Sequence, residues 1–132
     1  MIELAVSTTR RTELVDITAL VATAVARTSG TLATVFVPHS TCGVVVQAAG
    51  PGATLVAGDV EDAFEGLVDE TRPWRHAAEG EGNPWSHVRA ALTASSVSIP
   101  LSDGTLALGA VQSVFLCEFD GPRGRRVLVV VT

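Results

Sequence analysis

The chain has no lysine and no tyrosine, and apart from histidine its aromatic residues are two tryptophans and four phenylalanines among 132 positions. All of its positive side-chain charge rests on nine arginines, set against fourteen acids for a formal charge of -5. A general nucleic-acid or acidic-membrane partner is therefore not expected, since both draw on clustered Lys and Arg. Two cysteines, Cys42 and Cys117, are too few for a disulfide framework, and each lies in an apolar run, which reads as a buried thiol. No apolar run reaches the roughly 18 residues of a membrane span, and the opening MIELAVSTTRRTE lacks a signal-peptide pattern, so a cytoplasmic location is expected. Internal repeats, low-complexity tracts and linkers are absent too, leaving one domain over residues 1–132. The chain carries no GxSxG elbow, P-loop or dinucleotide fingerprint, which argues against a serine hydrolase.

What is present is an apolar fraction of 47% with a positive mean hydropathy, high for so small a chain and a sign of oligomerisation. Patterning predicts strands over 2–7 and a second ending near Val15. Asp16 suits the N-cap of a helix over 17–28, whose Ile17, Leu20, Val21, Ala24 and Val25 keep helical spacing, and Gly30 is placed to stop it. Strands follow over 31–37 and 43–47. An amphipathic helix over 55–68 carries Asp59, Glu61, Asp62 and Glu65 on what reads as a solvated face. Asn83 before Pro84 predicts a capped helix from 84 to about 93. The remainder reads as strands over 96–101, 105–108, 112–119 and 125–131, with Ser102-Asp103-Gly104 as a hairpin turn. Helices between runs of hairpin-connected strands give an α+β domain with a largely antiparallel sheet or sandwich.

Chemistry-bearing residues gather in three places. The stretch over 74–87, WRHAAEGEGNPWSH, holds both tryptophans and two of the three histidines, His76 and His87. The third, His39, stands where a strand leaves the core, in Pro38-His39-Ser40-Thr41. Histidines at element ends are suited to metal or proton work, although the spacing of His76 and His87 matches no short ligand motif. The third place is Glu118 to Arg126, where two glycines expose backbone amides and Arg123, Arg125 and Arg126 crowd together. Such a turn can cradle phosphate. It can equally be a hairpin whose arginines pair with Glu118 and Asp120.

In order along the chain, these motifs resemble the YjbQ-like family, also called secondary thiamine-phosphate synthases. The resemblance runs over about 31–131 and is carried by Pro38-His39-Ser40-Thr41 with Gly43, Trp74-Arg75-His76, Gly82-Asn83, His87, Ser95 to Pro100, Gly104 to Gly109, Gln112 and Glu118 to Arg123. It implies a small α+β fold and a homotrimer with sites near subunit interfaces. It also implies a histidine-lined pocket able to hold a divalent metal, zinc or magnesium, together with an anion. The implied activity joins a pyrimidine diphosphate to a thiazole phosphate with release of diphosphate. On that reading His39, His76 and His87 bind metal or contact the leaving group, and Glu118 orients a ligand or a histidine. Ser40, Thr41, Asn83, Arg123 and Arg125 would bind phosphate.

The chain departs from the family pattern at Gln47-Ala48 and Gly50-Pro51, where Asn-Glu and a further acid are common, and at Val111, where tryptophan is common. The missing carboxylates favour an alternative, a non-catalytic trimer that binds a phosphorylated metabolite or metal ion. A metal-dependent hydrolase using the same histidines is a third reading.

Overall fold

The computed structural model describes residues 1–80 and 82–132. Its eight strands are β1 (Ile2–Ser7), β2 (Glu13–Asp16), β3 (Leu32–Phe36), β4 (Cys42–Ala48), β5 (Ser96–Ser102), β6 (Thr105–Leu106), β7 (Gln112–Glu118) and β8 (Gly124–Val131). The helices are α1 (Thr18–Val25), α2 (Val56–Leu67) and α3 (Pro84–Ala91), with a short 3₁₀ turn at Arg75–Glu79. Every strand pairing is antiparallel. A five-stranded sheet runs β1-β8-β3-β5-β6 and a three-stranded sheet β2-β7-β4.

The period-2 pattern of the strands sorts their side chains into layers. Val6, Ala33, Val35, Val127 and Val129 of the large sheet share a core with Val44, Val114 and Leu116 of the small one, closed by Ile17, Val21 and Val25 at α1. The alternate residues of β7, Phe115 and Cys117, continue with Phe119 into a second cluster against Val60 and Phe64 of α2 and Ala90 of α3. Phe64 meets Phe119 edge to face at 5.0 Å. Because β7 is covered on both faces, it reads as an unbroken apolar run ending in Glu118. The same alternation turns Glu118 of β7 and Arg125 of β8 toward the interior at one end of the sandwich.

Several local expectations are corrected. The first helix ends at Val25, well short of Gly30. Asp16 still accepts the Thr18 amide at 2.9 Å. Gly30 is there for space, since a Cβ would press on Val131 and on the Thr132 backbone. Glu61 is not part of a solvated face: it is buried, takes two bonds from Arg10 and accepts the Leu14 amide. His76 is carried by the 3₁₀ turn over Arg75–Glu79. Among the described residues no helix is long and apolar enough to cross a membrane.

Candidate functional site

Four elements meet at the end of the sandwich. The strand β3 ends at Phe36, and the connection to β4 presents His39, Ser40 and Thr41. Tight packing fixes this connection: a Cβ on Gly43 would overlap the Thr93 side chain and meet the Ala94 carbonyl. The 3₁₀ turn brings His76, the first turn of α3 brings His87, and the β7–β8 loop brings Asp120 and Arg123. Together with Asn83 and Arg125 they line a cavity of about 500 Å³. Eight of the nine candidate residues face this one space; Glu118 does not.

Glu118 is fully buried and saturated. It accepts from Thr8 Oγ1 at 2.8 Å, from Arg125 Nε at 2.9 Å and again from Arg125 Nη2, from Cys42 Sγ at 3.2 Å, and from the amides of Phe119 and Asp120. Burial alone would raise its carboxyl, but the bonds from Arg125, Thr8, the Asp120 amide and Cys42 outweigh this and hold it below the usual carboxylate range. A carboxylate so enclosed cannot touch a ligand; it positions others. Arg125 turns its Nη2 to Thr41 Oγ1 at 2.8 Å, tying the His39 connection to β8. Burial also drives the Cys42 thiol well above its ordinary value, with the Glu118 charge adding to the shift, so it is no nucleophile.

The hairpin pairing of the arginines is present as well. Arg123 donates to Asp120 at 2.9 Å, Arg125 pairs with Glu118, and Arg126 reaches Glu3 at 3.2 Å. Asn83 does not cap α3 with its side chain. It donates Nδ2 to Asp120 at 3.0 Å instead, while its buried Oδ1 has no partner among the described residues. An Asn diverted from the cap it would ordinarily make leaves Asp120 held from two sides, by Asn83 and by Arg123.

The three histidines differ. Nε2 of His39 accepts the Arg126 amide at 3.0 Å, which in the neutral ring puts the proton on Nδ1. Burial lowers the His39 pKa, and the charges of Arg125 and Arg126 lower it further, so the neutral form is favoured. Nδ1 of His76 lies 2.7 Å from Glu79 Oε2. A carboxylate only accepts, so this nitrogen carries the proton and Nε2 of a neutral ring keeps its lone pair. His76 and His87 meet edge to face, their centroids 5.1 Å apart.

A metal fits poorly on this donor set. Among the described residues no three His, Cys, Asp or Glu side chains are placed to hold one. His39 has already committed Nε2 to the backbone. The arrangement suits an anion better, offering an imidazole N–H, the hydroxyls of Ser40 and Thr41, and the Arg123 guanidinium.

A family model described as "UPF0047 protein YjbQ-like" matches residues 2–132. The chain belongs to this family. A UPF0047 protein of Methanothermobacter thermautotrophicus is 37% identical over 98% of this chain and 89% of its own length. The family member YugU of Bacillus subtilis is 34% identical, over 92% and 91% respectively. A YjbQ/UPF0047 structure from Clostridium acetobutylicum superposes with a TM-score of 0.89 at 32% identity, covering 100% of both chains. A conserved hypothetical protein of Thermus thermophilus gives the same TM-score and full coverage of both chains at 36% identity.

Ala48, one position where the family's acids are missing, closes β4 at the end opposite Cys42, about 20 Å away at roughly 3.3 Å per residue. Within one chain, an acid there would not reach this cavity. Sequence reading missed Asp120 as a cavity residue and Glu79 as the partner of His76. The i,i+3 spacing of His76 and Glu79 is a signal for the second; only the fold reveals the first.

Proposed function

We propose that the chain binds the phosphate or diphosphate of a small molecule in this cavity and acts on it as a transferase of the thiamine-phosphate synthase type. The observation that carries the reading is the convergence of His39, Ser40, Thr41, Asn83, Arg123 and Arg125, from three separate stretches of sequence, on one space with His76 and His87. In such a transfer the bond between the pyrimidine's methylene carbon and diphosphate breaks, and a bond to the thiazole nitrogen forms. Charge on the departing oxygens needs stabilising more than the nucleophile needs activating. The Nδ1–H of His39, the Ser40 hydroxyl and Arg123 supply donors for that charge. Arg125 adds buried positive charge while holding Thr41. No step requires a metal. The test is formation of thiamine phosphate from the two phosphorylated halves, with His87→Ala as control. Product from the native chain and a loss of about a hundredfold in the variant are expected. No product, or equal product from both, overturns the transferase reading.

A second reading, a binder without catalysis, is favoured by the state of the acids. Asp120 is held by Asn83 and Arg123, and Glu118 is locked to Arg125, so neither is free to move a proton. Phosphate binding by calorimetry without turnover would select it. Both readings accommodate a homotrimer. Leu32, Phe36 and Val130 are exposed on the outer face of the large sheet, an apolar surface for other copies to cover. Sedimentation at three times the chain mass checks this.

A further inference from the structure

The helix α3, which delivers His87, has a weak apolar grip on the rest of the molecule. Of its eight residues the buried ones are Pro84, Ser86 and Arg89. Arg89 is only 1% exposed, and its partners lie outside the cavity. Its Nη2 donates to the Val68 carbonyl at the end of α2, 2.8 Å away, and its Nη1 to Thr12 Oγ1 at 3.3 Å. One carboxylate oxygen of Glu70 lies 3.6 Å from Arg89 Nη1, and the other accepts from Arg11 Nη1 at 2.7 Å. The Arg11 guanidinium in turn covers Trp85, 5.0 Å from the ring centroid. Trp85 and Arg89, four residues apart, share one face of α3. Glu70 and Arg11 therefore close a ring of contacts around that face.

The ring has a second attachment. The Arg11 carbonyl accepts the Gly121 amide at 3.1 Å, so the β1–β2 turn that grips α3 through Arg11 and Thr12 also grips the β7–β8 loop with Asp120 and Arg123. Burial disfavours the Arg89 cation and lowers its pKa, and Glu70 is the foremost charge acting against that. We infer that Glu70 is a positioning residue: by joining Arg89 to Arg11 it fixes α3, and with it His87, relative to the anion donors of the β7–β8 loop. Its effect on affinity rests on the phosphate-binding reading above; its hold on His87 does not. Loss of the carboxylate leaves Arg89 without its ion-pair partner among the described residues and frees Arg11 from Trp85. A shift of about 1 Å in α3 is then enough to spoil aligned contacts in the cavity.

The sign of the effect separates positioning from plain charge. Removing an anion near an anion site makes the field there more positive and tightens binding. A displaced His87 weakens it. Calorimetry of the full chain with inorganic phosphate, together with NMR of the histidine rings, reads both. Glu70→Ala, confirmed as folded by circular dichroism, is expected to weaken phosphate about fivefold and to move the imidazole signals of His87. Those of His39, held by the Arg126 amide, should stay in place. Asp62→Ala, which removes the same charge from an exposed position on α2, should move neither ring and should not weaken binding. Glu70→Gln, which keeps the side chain's shape, carries the same test if the alanine variant does not fold. Equal or tighter phosphate binding in the Glu70 variant overturns the inference, as do unmoved His87 signals or an equal weakening by Asp62→Ala. If the native chain binds no phosphate, the phosphate reading falls, and the His87 signals alone then decide whether Glu70 holds α3.

Discussion

Arg125 and Glu118 face each other from consecutive strands of different sheets in a two-pronged ion pair, with side chains only 4% and 0% exposed. The pair joins the large sheet to the small one at the end of the sandwich where the cavity opens. Removing one partner strands a charge in the interior. Arg125→Ala and Glu118→Gln are each expected to lower the unfolding free energy by about 3 to 5 kcal/mol. Urea melts provide the measurement, and a loss under about 1 kcal/mol would mean that water enters to replace the missing partner.

Acid should expose the same pair. The folded Glu118 carboxyl is held below its ordinary value, so its contribution to stability is complete above the unfolded pKa, about 4.3, and disappears as pH falls through the folded one. Unfolding midpoints recorded from neutral pH downward should drop across that window. Glu118→Gln should flatten the drop; an unchanged acid profile in the variant would assign the transition to other carboxyls.

His39 titrates in the opposite chemical sense, yet with the same pH dependence. Burial and two neighbouring arginines lower its folded pKa, so the neutral ring is favoured and stability rises with pH up to the unfolded value, about 6.5. NMR should find a midpoint below that value and, above it, a neutral ring protonated at Nδ1. A ring protonated at Nε2 would contradict the bond from the Arg126 amide.

Gly43→Ala should be costly despite the small change. The new methyl falls on Thr93 Oγ1, which is already bonded to the Ala90 carbonyl. Overpacking of this kind costs about 1 to 3 kcal/mol. Thermal melts should show the loss, with partial recovery in the Gly43→Ala, Thr93→Ala double variant; an undiminished melting temperature in the single variant would mean that α3 yields freely.

Stripping divalent metals with a chelator should leave phosphate affinity within about twofold of the untreated protein. His39 offers no free Nε2, and the histidines share a space without forming a three-ligand set. A loss of about tenfold on chelation, restored by zinc or magnesium, would require the rings to reorient around an ion.

The strands, the α+β class and the identity of most cavity residues were legible because each depends on local pattern. The alternation of β8, the turn at Asp103-Gly104 and the Pro38-His39-Ser40-Thr41 motif are all readable within a few residues. Legibility failed where a side chain's role depends on a distant partner. Glu118 looks in sequence like an available acid beside arginines, and only the packing of β7 against β8 reveals it as enclosed. Glu61 looks like one more charge on a wet helix face, until Arg10 of the β1–β2 turn and the Leu14 amide of β2 reach it. Asn83 has the residue type and position of a helix cap, but Asp120, 37 residues on, takes its amide.

The β7–β8 loop is sewn to the β1–β2 turn by backbone bonds from Thr8 to Arg123 and from Gly121 to Arg11, with no room for a side chain on Gly121. Insertions that ordinary surface loops absorb would here pull Arg123 and Arg125 out of register together. Among the described residues the wall over 72–80 has no comparable stitching: its His76 and Trp74 are anchored by near neighbours, Glu79 and Asp69. A substitution in that wall can therefore reshape one side of the cavity without pulling on the half of the site that the two sheets hold.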